Sequence, residues 1–192
     1  MRLYRTREPE ISSRVDSQGS SLVVSLLEFK QQIKWDLTDT SEDTLMDTYI
    51  NAATRQAENF TEIVIQKSTW KTYLDYFADF KMDVSPVDSS TVTIQYYDVN
   101  NTLQPLSTTE YSVRNVGSGL KILFDGTMPS LYDRYEAVIV SYSAGYLTAD
   151  VPYQIKLAIM LQAADYFEGR SVGEVADNTK FFELLYPFKR LG

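Results

Sequence analysis

A chain of 192 residues with 44% hydrophobic content has the composition of a folded globular protein, and at this length it can bury roughly 70% of the surface of its extended form, so one core is the expected count. It contains no Cys and no His, which excludes disulfides, thiolate nucleophiles and cysteine-ligated metals, and removes the usual partner of a catalytic serine and the commonest neutral metal ligand. With 18 basic and 26 acidic residues the net charge is -8, which argues against a broad nucleic-acid footprint, although a negatively lined channel would let DNA pass by repelling its phosphates.

Any chemistry would have to rest on carboxylates, lysines or tyrosines, and no run has the spacing of oxygen ligands around a Gly that a calcium loop needs. The 14 tyrosines suit either interfaces or a β-rich domain, because the ring is apolar while its hydroxyl can stay wet. The start, MRLYRTREPEISS, has no apolar stretch after its basic residues and so does not read as a secretory signal. No later run reaches the roughly 20 apolar residues that span a bilayer. A reducing, aqueous compartment is therefore expected.

The first residues set Arg2, Arg5, Arg7 and Arg14 against Glu8, Glu10 and Asp16 with few apolar anchors. Such a stretch is expected to be extended or disordered. It is either a frayed terminus or an arm, about 1–24, that orders against a neighbouring subunit. Ser25 and Glu28 have capping-box spacing, and Leu26, Phe29, Ile33 and, if the helix runs that far, Leu37 form the stripe behind it. Asp39-Thr40-Ser41 offers caps for a second helix whose face is Leu45, Met46, Tyr49, Ile50, Ala53, Ala57 and Phe60, with Ala53 and Ala57 small enough for close approach of another element.

From Thr61 the period changes, and a β-rich stretch is expected through Ile63, Ile65, Ser68, Trp70, Thr72 and Leu74. Val92–Tyr97 reads as a strand, Asp98–Asn101 as its turn, and Leu103, Pro105 and Leu106 as a short return strand with edge character at the proline. Tyr111–Arg114 and Leu120–Phe124 are two further strands around Gly117-Ser118-Gly119. That glycine run lacks the pattern of a phosphate cradle. Ala137–Tyr142 is the strongest strand, ending near Gly145, which can adopt a backbone angle that other residues resist.

Pro152 fits a helix start, and the helix that follows is apolar around much of its circumference. It should be central to the core, or covered by a partner as well as by its own sheet. After a polar connection over 170–178, Phe181, Phe182, Leu184, Leu185, Tyr186 and Phe188 crowd into eight positions. Pro187 stops the helical turn there, and Lys189 and Arg190 supply a basic end.

In three places the chain resembles the head-tail connector proteins, or neck adaptors, of tailed phages. They are Leu26–Lys30 leading through Asp39–Asp43 into Tyr49–Ala53; Ser141-Tyr142-Ser143-Ala144-Gly145-Tyr146; and Val151–Ile159 followed by Tyr166-Phe167-Glu168-Gly169-Arg170. The last two are the more specific, joining a strand that ends in an aromatic-flanked Ala-Gly to a Pro-led helix. The resemblance covers about residues 25–190.

It implies an α+β fold in which a helical platform carries a β-rich insertion, about 63–142, between the N-terminal helices and the C-terminal helix, with a tail of about 177–192. It further implies no catalysis and no cofactor. The implied assembly is a virion-neck ring of about a dozen copies, bound to the portal protein on one side and to a downstream neck or tail-completion protein on the other. The resemblance also implies that DNA passes through without sequence-specific binding, that no membrane is involved, and that the chain resides in the host cytoplasm before assembly.

The crowded C-terminal segment nominates Phe182, Tyr186, Phe188, Lys189 and Arg190 for partner docking, as aromatic anchors beside a basic end. The competing reading is that Phe181, Leu184, Leu185 and Phe188 close the domain's own core. Candidate inter-subunit residues are Arg2, Arg5 and Arg7 on the arm, with Tyr166 and Arg170. Three other functions compete with a neck adaptor. A monomeric or dimeric binding module would differ in mass. A carboxylate hydrolase would need convergent acids, whereas Asp165 and Glu168 merely lie three apart. A terminase small subunit would need a basic DNA-reading helix.

Overall fold

The computed structural model of the protein describes residues 10–19, 21–116, 119–169 and 179–190. Its elements are β1 (Ile11–Gln18), α1 (Leu26–Gln32), α2 (Asp43–Thr61), β2 (Ser68–Leu74), β3 (Phe80–Lys81), β4 (Val87–Tyr97), β5 (Leu103–Pro105), β6 (Tyr111–Val116), β7 (Gly119–Phe124), β8 (Val138–Ala144), α3 (Tyr153–Gly169) and α4 (Thr179–Leu185), followed by a 3-10 turn at Tyr186–Phe188. The fold is α+β, with a β-rich insertion between two N-terminal helices and the C-terminal ones. Instead of the single core expected from length, the chain forms two compact units, one of β1 with Ser68–Ala144 and one of Gly19–Lys67 with the chain from Gly145 onward. The insertion is long enough to bury an apolar interior of its own.

In the helical unit the capping box forms as the sequence predicts. Ser25 Oγ accepts from the Glu28 N–H at 3.2 Å, and a Glu28 carboxylate oxygen accepts from the Ser25 N–H at 2.8 Å. α1 is shorter than its apolar stripe suggests. Lys34 takes a left-handed φ of 55°, and Trp35 N–H donates to Lys30 O while Lys34 N–H donates to Gln31 O, which closes the helix in a Schellman turn. Leu37 therefore lies beyond the helix and is exposed.

α2 also departs from its expected cap. Its N-cap is Glu42, without a side-chain cap bond, because Asp39 is engaged in a tight turn of its own, accepting from the Ser41 N–H at 2.9 Å. α2 packs against α3, with Met46, Ile50, Ala53 and Ala57 fully buried on one side and Ile155, Ala158, Ile159 and Ala163 on the other. Phe181 and Leu185 of α4 complete this core.

Residues 63–67, expected as strand, belong to the helical unit. Ile65 is fully buried in its core, and the Glu58 carboxylate accepts from the N–H groups of Ile65 and Gln66 at 2.8 and 3.1 Å. Gln66 in turn donates through Nε2 to Gly19 O and Ser21 O at 2.7 and 2.8 Å. Its buried amide thus has partners. Val23 and Val24 are buried in the same core.

The β unit holds a five-stranded sheet in the order β1-β2-β8-β4-β5 and a three-stranded sheet in the order β3-β7-β6. β8 is central and alternates buried and half-buried residues from Val138 to Ala144, the period-2 pattern of a strand with one face on the core. The residues expected to form a flexible arm include edge strand β1, which runs antiparallel to β2 with Ile11 opposite Leu74 and Gln18 opposite Ser68. Main-chain pairing fixes this strand where apolar anchors are scarce. β5 lies at the opposite edge of the sheet with its proline, and Asp98 holds the β4–β5 turn by accepting from Asn100 and Thr102 N–H at 2.9 and 3.0 Å. Phe77 packs edge-on against Tyr96 of β4 and Phe124 of β7.

Candidate functional site

The crowded C-terminal segment divides into an inner and an outer face. On the inner side Phe181 and Leu185, four apart on α4, are fully buried, and Leu184 and Phe188 pack partly against the same core. On the outer side Phe182 stacks edge-on against Phe60 at 4.9 Å between ring centroids and turns its remaining surface into a groove of about 470 Å³ that it shares with Thr179, Glu183 and Tyr186. Tyr186 is 70% exposed. Lys189 holds its ammonium 5.1 Å from the Phe60 ring centroid, a cation–π contact, and the Arg190 N–H donates to Thr61 O at 2.8 Å.

The segment is therefore divided between core and surface. Phe181 and Leu185 are core, Phe182 and Phe188 straddle core and surface, and Tyr186 and Lys189 face solvent. Tyr166 is accounted for within one chain: its hydroxyl donates to Gln56 Oε1 at 2.6 Å and its ring lies 6.1 Å from that of Tyr49. Arg2, Arg5, Arg7 and Arg170 lie outside the described residues.

At the other end of α2 the surface has the opposite sign. Asp36 and Asp39 lie between α1 and α2 and Asp43 opens α2, and the nearly buried Lys30 joins the last two, its ammonium 2.5 Å from Asp43 Oδ1 and donating to Asp39 O at 2.6 Å. Hydrogen bonds from Thr38 hold the Asp36 carboxyl below the usual carboxylate range, and those from Ser41 do the same for Asp39. Both side chains are therefore firmly anionic at neutral pH. Asp47 shifts the other way, pushed up first by burial and then by the negative charge of Asp43.

α3 is apolar around much of its circumference but is not buried all round. One face is core, while Tyr153 is 89% exposed and Leu157, one turn on, is 39% exposed. In the β unit, Asp75, Tyr76, Phe77 and residues 128–134 line a hollow of about 540 Å³, beside which the Arg134 guanidinium sits 3.9 Å over the Tyr97 ring. The exposure of Leu37 was not legible in the sequence, since an apolar residue in a helical stripe reads as core, and Tyr153 was not singled out. Their only signal was position, Leu37 between Asp36 and Thr38 and Tyr153 directly after Pro152.

Among the described residues no group of three His, Cys, Asp or Glu is placed to hold a metal ion, and no helix is long and apolar enough to cross a membrane. What the geometry offers is surface: an acidic turn ahead of α2 and, past the other end of that helix, an aromatic groove near Lys189. No family model matches the chain, and no curated protein matches it. Solved structures do. A chain in the neck of an empty gene transfer agent particle, computed with sixfold symmetry, aligns with a TM-score of 0.74 at 15% identity, over 95% of this chain and 96% of that one.

The two share one fold. A chain from the virion of a native gene transfer agent particle gives the same TM-score at 17% identity, covering 94% of this chain and 96% of the other. A third, in the neck of a native particle computed with twelvefold symmetry, gives 0.69 at 17% identity over 91% and 94%. The likeness runs through both units of the chain, β insertion included.

Proposed function

We propose that this chain is a structural adaptor of a virion neck, joining a portal protein to the next neck or tail component as a ring of about twelve copies around the path of the DNA. The observation that carries the reading is the end-to-end agreement of fold with a neck chain, 95% of one and 96% of the other. The symmetry of the related necks, sixfold in one and twelvefold in another, supports a ring with a multiple of six subunits.

The composition is consistent with that role. A net charge of -8 suits a conduit that must not hold the phosphates passing through it, and the absence of Cys and His leaves few groups suited to proton transfer at neutral pH. Such a ring needs two different patches that meet between copies, because a self-complementary patch would stop at a dimer. The decisive experiment is electron microscopy of particles with this gene intact and inactivated. The expected result is density for the chain as a ring between portal and tail, and filled heads without tails when it is missing. Tailed, infectious particles in its absence would overturn the reading.

A further inference from the structure

We propose that the turn Asp36–Asp39 of one copy, with Leu37 at its corner, seats in the Phe182–Tyr186 groove of the next copy, so that opposite ends of α2 meet around the ring. The proposal rests on the ring reading above and assigns the contact that closes it.

The turn is built to project an apolar side chain. Asp39 N–H donates to Asp36 O at 3.2 Å, and Asp36 Oδ1 accepts from both the N–H and the hydroxyl of Thr38, at 2.9 and 2.8 Å. Leu37 is left at the corner, 49% exposed. Turn corners favour polar residues and glycine, and a leucine held there by side-chain bonds on both flanks is preorganised for a contact made elsewhere.

That contact cannot lie within the same chain. The turn is fastened to the first residues of α2 through Lys30 and Asp43, whereas the groove is fastened to the last residues of α2 through Phe60 and Thr61. The 19-residue helix α2 that carries both anchors is about 28 Å long. Two unlike patches at opposite ends of one rigid rod pair between copies, head to tail, which is the geometry that closes rings.

Charge selects the same pairing. Asp36 precedes the leucine and Asp39 follows it two residues on, while Lys180, next in the chain to Thr179 of the groove, and Lys189, three residues past Tyr186, are exposed. The acid on the groove wall, Glu183, has a counterpart in Lys34, exposed where α1 ends. Two lysines near the groove thus have two aspartates to meet on the turn, and Glu183 has Lys34 beside that turn; complementarity of that kind fixes register and suppresses wrong partners.

The chain's lack of cysteine makes the test specific. In the full chain carrying Leu37→Cys with Tyr186→Cys, mild oxidation should link copies into a ladder of covalent multimers, in purified protein at high concentration or in assembled particles, while neither single variant goes past a dimer. Separately, Lys180→Glu with Lys189→Glu should lower assembly about tenfold or more, and mixing with chain carrying Asp36→Lys and Asp39→Lys should restore it. No ladder in either setting, with no rescue by charge exchange, would overturn the contact. If microscopy still finds the chain as a ring in the neck, the adaptor reading survives that result. Photo-crosslinking from position 186 to a different protein, in particles where the ring is present, would also overturn it.

Discussion

The Lys30 ammonium, 2.5 Å from Asp43 Oδ1 and 2.6 Å from Asp39 O, joins α1 to the first turn of α2 through a single side chain that is only 4% exposed. Removing one member of a buried ion pair strands the other's charge, at a cost of about 3–5 kcal/mol. Asp43 keeps 27% of its side-chain surface, so water softens that cost. Lys30→Met is expected to destabilise the chain by about 2–3 kcal/mol, read as a lower urea midpoint at unchanged slope. An effect under about 0.5 kcal/mol would show that the pair is solvated like an ordinary surface bridge.

Two carboxylates near this pair should move stability with pH in opposite senses. Glu28 is held below its ordinary value of 4.5, chiefly by the backbone N–H of Ser25. Its contribution is present above that value and is lost as pH falls through the lowered folded one. Asp47 is raised by burial and by Asp43. Ionised Asp47 therefore costs stability at neutral pH, a cost relieved as pH falls through the raised folded value. Asp47→Asn should raise the melting temperature at pH 7 and lose that advantage in acid. Glu28→Gln should lower it at pH 7 and converge with the parent in acid, and Ser25→Ala should cost about 1 kcal/mol as a lost cap. Melting curves of the three variants between neutral and acid pH check the signs.

What the sequence conveyed depended on whether a residue's role was local. The capping box at Ser25 and Glu28, the turn at Asp98, the proline at the sheet edge and the strand ending near Gly145 are each determined by neighbours within a few positions, and all formed as the pattern indicates. β1 escaped notice because its support is main-chain pairing with β2, more than 50 residues away in sequence, and edge strands need little apolar content. The division into two cores escaped for a similar reason: Ile65 is spaced like a strand residue yet packs with the helices. At the candidate site the crowding of apolar residues left open which of them close the core, and only the packing of α4 shows Phe181 and Leu185 inside and Phe182 against Phe60.

Gly145 supplies a sharper case. Its φ is 90°, and a Cβ built there would stand 2.7 Å from the Gln66 carbonyl oxygen and 3.0 Å from Lys67 Cα. Both the left-handed backbone and the close approach demand glycine. Gly145→Ala should cost more than the roughly 1–2 kcal/mol of the backbone term alone, since the Gln66–Tyr146 bridge must shift as well. Chemical denaturation measures the loss. A neutral result would mean that the chain relaxes freely where it leaves β8.

Phe181 and Tyr186 should separate stability from assembly. Phe181 is fully buried on the inner face of α4, where Phe181→Ala opens a cavity worth about 3–5 kcal/mol. Tyr186, five residues on and 70% exposed, has little packing to lose, so Tyr186→Ser should stay within about 0.5 kcal/mol of the parent. If the outer face meets a neighbouring chain, the serine variant folds normally and still fails to complete necks, counted as tailless heads by microscopy. Were Tyr186→Ser to melt early, the ring would belong to the chain's own core after all, and a defect in assembly would follow from unfolding instead of from a lost contact. Fully normal tails from a normally folded variant would remove Tyr186 from the docking surface and leave Phe182 and Lys189 to carry it.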